Sequence, residues 1–298
     1  MKKSTDTAGL KKIWKKKDSE VVIAVIESPD KTDQFILRQN EFNSLAPQKW
    51  LLGETIECYL RAMLNVKGLG KRIYILNHYS AGVIVFGERS AMANHSLPKL
   101  NFDNYDGVIG FVNVSNNHWK FLYLNKLNKN VFVIDPLGQA EDQESGVAAK
   151  RFCQFFRMRQ NRYQKTDWVD VKWKGATINH SIQKDGNNCG VFVMKMATDV
   201  VEAFPVVPQE IKIATSQKDL KDLRITMAKT ILQCSVFSET DHCSSCGQEN
   251  PTGQKGNTKW IECTKCRRWY HPTCIAMSDE DWDKEKEEVT TMWNCDFC

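Results

Sequence analysis

Gln183-Lys184-Asp185-Gly186-Asn187-Asn188-Cys189-Gly190-Val191-Phe192-Val193 is a polar, glycine-punctuated loop that delivers a cysteine straight into an apolar run. Beyond Cys189, Val191, Phe192, Met196, Ala197, Val200 and Val201 recur at three- and four-residue spacing, which predicts a helix with the cysteine at its N-terminus. Unpaired backbone N–H groups and the helix dipole favour a thiolate there, the nucleophilic form of the side chain. Gln183, ahead of it in the loop, can aim an amide N–H at a developing oxyanion. A single cysteine before a helix is more often a small buried hydrophobe, so its partners upstream decide the reading.

Val108–Val114 reads as a strand ending at Ser115-Asn116-Asn117, and His118-Trp119 opens the next, which runs to Leu124. A turn over Asn125–Asn130 returns the chain through Val131–Ile134 to Asp135-Pro136-Leu137-Gly138. The result is an antiparallel hairpin with His118 and Asp135 at its open end. A carboxylate that accepts one imidazole N–H fixes the tautomer and leaves the other nitrogen free to take a thiol proton. A surface histidine and a turn-forming Asp-Pro are the ordinary readings of each residue alone; together with the Gln183/Cys189 loop they point to a nucleophile, a base and an orienter.

The rest of the body supplies a core. Val21–Ile26 and Phe35–Leu37 read as strands around the turn Ser28-Pro29-Asp30, and Lys49–Leu64 as a helix with Ile56, Tyr59, Leu60, Met63 and Leu64 on one face. Tyr74–Leu76 and Val83–Phe86 read as strands or short helices, and Lys218–Leu232 carries an apolar helix pattern. With 298 residues the chain is long enough for a larger and a smaller domain, and 42% hydrophobic with 26% charged residues is ordinary for a globular protein. No apolar run reaches membrane-spanning length and the opening Met-Lys-Lys-Ser-Thr-Asp carries no cleavable signal pattern, so we expect no membrane partner and an intracellular, reducing compartment.

The 11 cysteines are unevenly spread, with Cys243, Cys246, Cys263, Cys266, Cys274, Cys295 and Cys298 crowded near the C-terminus. Charge divides similarly: residues 239–298 hold 7 Lys+Arg against 12 Asp+Glu, which leaves 34 against 24 for the first 238. A basic body with an acidic end suggests two surfaces for two kinds of partner. With His271, the seven cysteines form Cys-x2-Cys, Cys-x2-Cys, His-x2-Cys and Cys-x2-Cys pairs, ligands for two tetrahedral zinc ions that would staple a module too small for a self-sufficient core. Lys2, Lys3, Lys11, Lys12, Lys15, Lys16 and Lys17 make a basic arm that could touch nucleic acid or address the chain to the nucleus, or simply be solvated.

Trp50-Leu51, His118-Trp119, Asp135-Pro136-Leu137, Gln183 and Asp185-Gly186-Asn187-Asn188-Cys189-Gly190 resemble, in that order, the sentrin/SUMO-specific protease family of cysteine peptidases. The resemblance runs from about Leu37 to Leu232. It implies Cys189 as nucleophile, His118 as base, Asp135 as orienter, and Gln183 with the Cys189 N–H as oxyanion hole, none needing a cofactor. It also implies that Trp119 roofs a tunnel for the Gly-Gly tail of a ubiquitin-like modifier, with Trp50 a second substrate-facing aromatic. Members that cleave SUMO typically show Trp-Leu-Asn-Asp where this chain has Trp50-Leu51-Leu52-Gly53, a departure that bears on which modifier is taken.

The ligand order of the C-terminal module, Trp269-Tyr270-His271 and Trp293-Asn294-Cys295 resemble a PHD finger; a RING domain typically has its histidine fourth, whereas His271 is fifth. The resemblance implies interleaved zinc sites, Cys243/Cys246 with His271/Cys274 and Cys263/Cys266 with Cys295/Cys298. It also implies that Trp260 belongs to an aromatic cage for methyl-lysine of a histone tail, while Trp269 either faces the ligand or packs the small core. Thr264-Lys265 and Arg267-Arg268 weigh against a basic tail; Glu262 and the acid-rich Ser278–Glu288 weigh for it.

These readings give an α+β chain: a basic, disordered arm over 1–19, a papain-like cysteine protease domain of the SUMO-protease type over 20–233, a linker over 234–241 and a PHD finger over 242–298. The expected function is release or processing of a SUMO-like modifier in the nucleus, with the finger bringing the enzyme to chromatin. The alternatives are a transposon- or virus-type polyprotein peptidase and a non-catalytic chromatin adaptor.

Overall fold

The protein is described from a computed structural model, over residues 6–251, 258–287 and 293–297. Its chain forms two compact units: Pro47–Arg224 is one, and Met1–Ala46 with Ile225–Cys298 is the other. The hairpin formed by Val22–Glu27 and Gln34–Arg38, expected within 20–233, therefore groups with the cysteine-rich module.

Helix α1 (Thr7–Trp14) is capped by Asp6, whose carboxylate accepts the Gly9 N–H at 2.6 Å. Strands β1 (Val22–Glu27) and β2 (Gln34–Arg38) pair antiparallel, and α2 (Gln39–Asn43) follows directly. The expectation of a disordered arm over 1–19 is corrected for residues 6–19. Leu10 is fully buried, Gln39 donates to the Ile13 carbonyl at 3.2 Å, and Asn43 donates to the Lys16 carbonyl at 3.1 Å and to Asp18 at 2.6 Å. Lysines dominated the reading of this stretch, but one apolar anchor and two amide side chains are enough to seat it. Lys2 and Lys3 lie outside the described residues.

In the unit Pro47–Arg224, α3 (Gly53–Lys67) precedes β3 (Ile73–Leu76) and α4 (His78–Phe86); the Val83–Phe86 stretch is thus helical. Strands β4 (Gly107–Val114), β5 (His118–Asn125) and β6 (Asn130–Ile134), then α5 (Glu141–Tyr163) and β7 (Lys174–Gly175), complete a five-stranded sheet of order β3-β4-β5-β6-β7. The three central strands run antiparallel, while β3 and β7 pair in parallel with β4 and β6. Leu122 and Leu124 of β5 join a buried cluster with Ala81, Ile84, Phe152 and Phe156 of α4 and α5. After β8 (Asn179–His180), α6 (Cys189–Ala203) packs against β5 and against α3. Both faces of the sheet are therefore covered, which is why its strands read as near-continuous apolar runs. The short β9 (Glu210–Ile211) pairs in parallel with β8 before α7 (Gln217–Cys234) begins.

Sequence reading did not single out α5, although Ala148, Ala149, Phe152, Phe155, Phe156 and Arg159 are all buried on one side at helical spacing. Arg159 is wholly buried, with its guanidinium on the carbonyls of Ser96, Leu97 and Leu100 and on the Asp167 carboxylate at 2.7 Å. It also lies over the Phe102 ring at 4.8 Å.

In the other unit, the segment after α7, expected as a linker over 234–241, is hydrogen-bonded to β1. The Val236 N–H donates to the Val25 carbonyl at 3.0 Å and the Ser235 hydroxyl accepts from the Val25 N–H at 3.0 Å. Next, Val22 donates to the Ser244 carbonyl at 2.9 Å and Arg38 to the Ser245 carbonyl at 3.1 Å, so the first metal-ligand loop is bonded to the hairpin. Strands β10 (Ile261–Glu262) and β11 (Trp269–Tyr270) and helix α8 (Asp279–Glu287) complete the module. No helix among the described residues is long and apolar enough to cross a membrane.

Removing one partner of a buried charge pair strands the other, at a cost of about 3–5 kcal/mol. Asp167→Ala should therefore lower the unfolding free energy by about that much, whereas Asp103→Ala, an exposed partner of Lys126, should cost about 1 kcal/mol or less in the same urea titration.

Candidate active site and metal centre

The hairpin register fixes the first cluster. Phe121 pairs with Ile134, so Lys120 falls opposite Asp135, and His118 projects from the same face of β5 two residues on. His118 Nε2 lies 2.7 Å from Asp135 Oδ1, which also accepts the Leu137 N–H at 2.8 Å; Lys120 Nζ holds Oδ2 at 2.9 Å. Burial alone would raise the Asp135 pKa, but the hydrogen bonds from His118, Leu137 and Lys120 outweigh it and bring it to about 2. The His118 imidazolium is favoured, its pKa raised from 6.5 to about 9, first by the hydrogen bond to Asp135 and next by one to the Cys189 side chain. The hairpin histidine thus stands between the carboxylate and the thiol.

Cys189 is the first residue of α6 and is nearly buried, 8% exposed. The loop before it is built on Asp185, whose Oδ1 accepts the N–H groups of Asn187 and Asn188, each at 3.0 Å. Gln183 donates its amide to the Asp185 carbonyl at 2.6 Å and to the Asp185 carboxylate at 3.3 Å, while its buried Oε1 has no partner among the described residues. Its N–H groups are therefore engaged within the loop in this structure rather than turned toward an oxyanion. Arg224, buried in α7, donates to Asn188 Oδ1 at 3.0 Å and to the backbone carbonyls of Lys49 and Asn187 at 2.7 and 3.0 Å. Its pKa is lowered to about 10 by burial.

The two aromatics named from this part of the sequence sit differently. Trp119 is almost buried, packed on Phe111 with ring centroids 5.3 Å apart, and donates its indole N–H to the Leu51 carbonyl at 2.9 Å. Trp50, next to Leu51, is exposed. A Cβ on Gly190 would lie 2.8 Å from the Leu51 Cβ, so only glycine lets the cysteine loop approach that segment. The Gly53 departure also has a physical cause. A Cβ there would meet the His78 ring at 2.6 Å, so an imidazole stacked on Phe111 occupies the space a carboxylate side chain would need.

Five residues that sequence reading left out complete the site. Lys120 bridges Asp135 and Glu144, the latter at 2.7 Å; Glu141 Oε1 accepts the Asp135 N–H and pairs with His180 Nε2, both at 2.7 Å; Arg224 ties down the cysteine loop. Parity on β5 could have marked Lys120, and the charged break in the apolar face of α7 could have marked Arg224.

In the cysteine-rich module the ligand atoms of Cys243, Cys246, His271 and Cys274 lie within 4.8 Å of one another, as do those of Cys263, Cys266 and Cys295. Cys298 lies outside the described residues. A tetrahedral zinc with Zn–S of ~2.3 Å and Zn–N of ~2.0 Å puts adjacent sulfurs about 3.8 Å apart, and sulfur and nitrogen about 3.5 Å apart. Cys266 and Cys295 sulfurs are 3.7 Å apart, and His271 Nδ1 is 3.5 Å from Cys246 and 3.6 Å from Cys274. His271 Nε2 lies 3.2 Å from the Glu249 carbonyl, the outer contact that fixes Nδ1 as the ligand atom. The donor set fits zinc, in the interleaved pairing. Trp260 lies against the His271 ring at 4.3 Å, and Trp269 pairs across the ladder with Glu262. The neighbouring Trp282 is already faced by Lys259 at 4.4 Å.

Residues 86–236 match the Ulp1 protease family, C-terminal catalytic domain, and residues 243–298 match the PHD finger. No curated protein sequence matches the chain. Among solved structures, the C-terminal Ulp1 protease domain in complex with Smt3, the yeast ortholog of SUMO, aligns with a TM-score of 0.57 at 16% identity over 77% of this chain and 95% of that one. The SUMO protease Ulp1 with its catalytic cysteine oxidised to a sulfenic acid aligns with 0.57 at 16% over 77% and 94%. A Chaetomium thermophilum Ulp1-like SUMO protease catalytic domain aligns with 0.52 at 14% over 78% and 89%. The mixed α/β protease fold followed by a PHD finger is as expected from the motifs.

Because the His118 pKa is raised above its unfolded value, the pairing contributes stability that is fully present below about pH 6.5 and lost as pH rises through about 9. The melting-temperature difference between the protein and His118→Gln should be largest below pH 6.5 and shrink steadily toward pH 9.5.

Proposed function

The chain belongs to the Ulp1 protease family of cysteine peptidases, and we propose that it cleaves after the Gly-Gly tail of a SUMO-like modifier, releasing it from lysine or trimming its precursor. The observation that carries this is His118, which meets Asp135 at 2.7 Å and whose imidazolium is favoured first by that carboxylate and next by the Cys189 side chain.

In this reading His118 takes the Cys189 proton and the sulfur attacks the carbonyl carbon of the terminal glycine, forming a C–S bond. The oxyanion is received by the Cys189 N–H and by the Gln183 amide once it turns from Asp185. The imidazolium gives its proton to the departing lysine amine as the C–N bond breaks, leaving a thioester. Water then attacks that carbon as His118 takes its proton; the C–S bond breaks, the glycine carboxylate leaves and the thiol is restored. Proton transfer of this kind contributes about 10²- to 10⁴-fold. Trp119 would wall the passage for the tail and Trp50 would meet the modifier. Glycines suit such a passage because they carry no Cβ.

The complex of Ulp1 with Smt3 supports a ubiquitin-like partner for this chain. The PHD finger supports recruitment to histone tails, with Trp260 and Trp269 as ligand-facing aromatics and Glu262 beside them, and so a nuclear, chromatin-bound enzyme. The exposed lysines of α1 would add contact with nucleic acid. One zinc ion in each ligand group, with Cys298 completing the second, would staple the finger; zinc's part is structural.

SUMO and ubiquitin probes with electrophilic C-termini should label the protein through Cys189, with SUMO preferred and labelling lost in Cys189→Ala. Absence of Cys189-dependent labelling by either probe would leave a polyprotein peptidase or an adaptor. On a histone-peptide array, Trp260→Ala should lose methyl-lysine binding, and equal binding by both proteins would remove the cage.

A further inference from the structure

On β5 the residue two beyond the histidine is a lysine, and it is almost completely buried, 6% exposed. A buried ammonium is stable only when it is compensated. Lys120 has two carboxylates: Asp135 Oδ2 at 2.9 Å, and Glu144 in the first turn of α5 at 2.7 and 2.9 Å. Its partner across the ladder is therefore the same carboxylate whose other oxygen meets His118 at 2.7 Å.

We propose that Lys120, clamped by Glu144, is a positioning residue for the peptidase reaction: it fixes the second oxygen of Asp135 and sets how much negative charge His118 feels. The proposal rests on the reading of His118 and Asp135 as base and orienter. The charged and titratable groups around it are Cys189 from α6, Glu141 and Glu144 from α5, and His180 from β8, which is paired with Glu141. Apart from His118 itself, Lys120 is the cation in direct contact with the Asp135 carboxylate. Glu144 lies on its far side, so the two act on His118 with opposite sign. Removing the ammonium leaves the Asp135 charge unopposed and favours the imidazolium; removing the Glu144 charge leaves the ammonium unopposed and disfavours it.

The test needs no modifier. The rate of Cys189 alkylation by iodoacetamide, followed from pH 5 to 10.5 in the full-length protein, should show an alkaline step where His118 gives up its proton. In Lys120→Met that step should move up by about half a unit to one unit, and in Glu144→Gln down by a similar amount. Lys120→Arg, which keeps the cation, should hold it near the parent position. With a cleavable substrate, Lys120→Met should also lower kcat/KM by about 10- to 100-fold. Glu144 is part-exposed on a helix, so its variant folds even if Lys120→Met does not, and its downward shift then decides alone. Steps that do not move, or that move in the same direction in both variants, would overturn the role of Lys120 while leaving the Cys189–His118 pair intact. A parent profile with no alkaline step would overturn that pair and this proposal with it.

Discussion

The pairing of β5 with β6 is the constraint on which the site depends. With Phe121 opposite Ile134, a period of two puts His118, Lys120 and Asp135 on one face of the hairpin. A slip of one residue would send His118 and Lys120 to the opposite face, into the aromatic packing where Trp119 sits. The register is held by burial on both sides: Leu122, Leu124, Val131 and Val133 belong to the cluster under α4 and α5, while Phe121, Tyr123 and Phe132 stack in sequence across the strands. Core packing and the geometry of the candidate site are here one requirement, since the residues that specify register also aim the histidine.

The second half of the site is brought to the hairpin by close approach. Gly190 lets the start of α6 touch Leu51, and the Leu51 carbonyl takes the indole N–H of Trp119, the neighbour of His118. Cysteine loop, Leu51 and hairpin are thereby locked in succession. The loop's conformation is carried separately by Asp185, which gathers the N–H groups of Asn187 and Asn188. Gln183 draws on the same carboxylate, so a substrate oxygen would compete with Asp185 for that amide. Asp185 thus sets the loop backbone in advance, while the Gln183 amide would have to exchange Asp185 for a substrate oxygen.

Much of this was legible in the sequence because it follows local periodicity. The strands leading to His118 and Asp135 alternate with turn residues between them, and the run after Cys189 has helical spacing. Cysteine spacing marked the ligand pairs in the same way. What was missed depends on distant packing. Helix α5 reads as polar because its buried side is only a narrow apolar stripe, closed by an arginine that is acceptable inside only with Asp167 and three carbonyls around it. The order of residues 6–19 likewise hinges on amide groups from α2, and no lysine count reveals those. His78 fills the volume that a side chain at position 53 would need, a relation between two positions far apart in sequence.

Arg224 connects the cysteine loop to the way the chain is divided. The unit Met1–Ala46 with Ile225–Cys298 is assembled from both ends of the chain, so the ends of Pro47–Arg224 must emerge close together before it can form at small entropic cost. Arg224 supplies that within its own unit, since its guanidinium lies 2.7 Å from the Lys49 carbonyl, and Asn187 reaches the Gln48 carbonyl at 3.0 Å. The group that closes the protease unit on itself is thus also the donor to Asn188, one residue before Cys189. Loss of that closure would loosen Cys189 as directly as it would separate the two ends, which ties the integrity of the reactive loop to the folding of the whole unit.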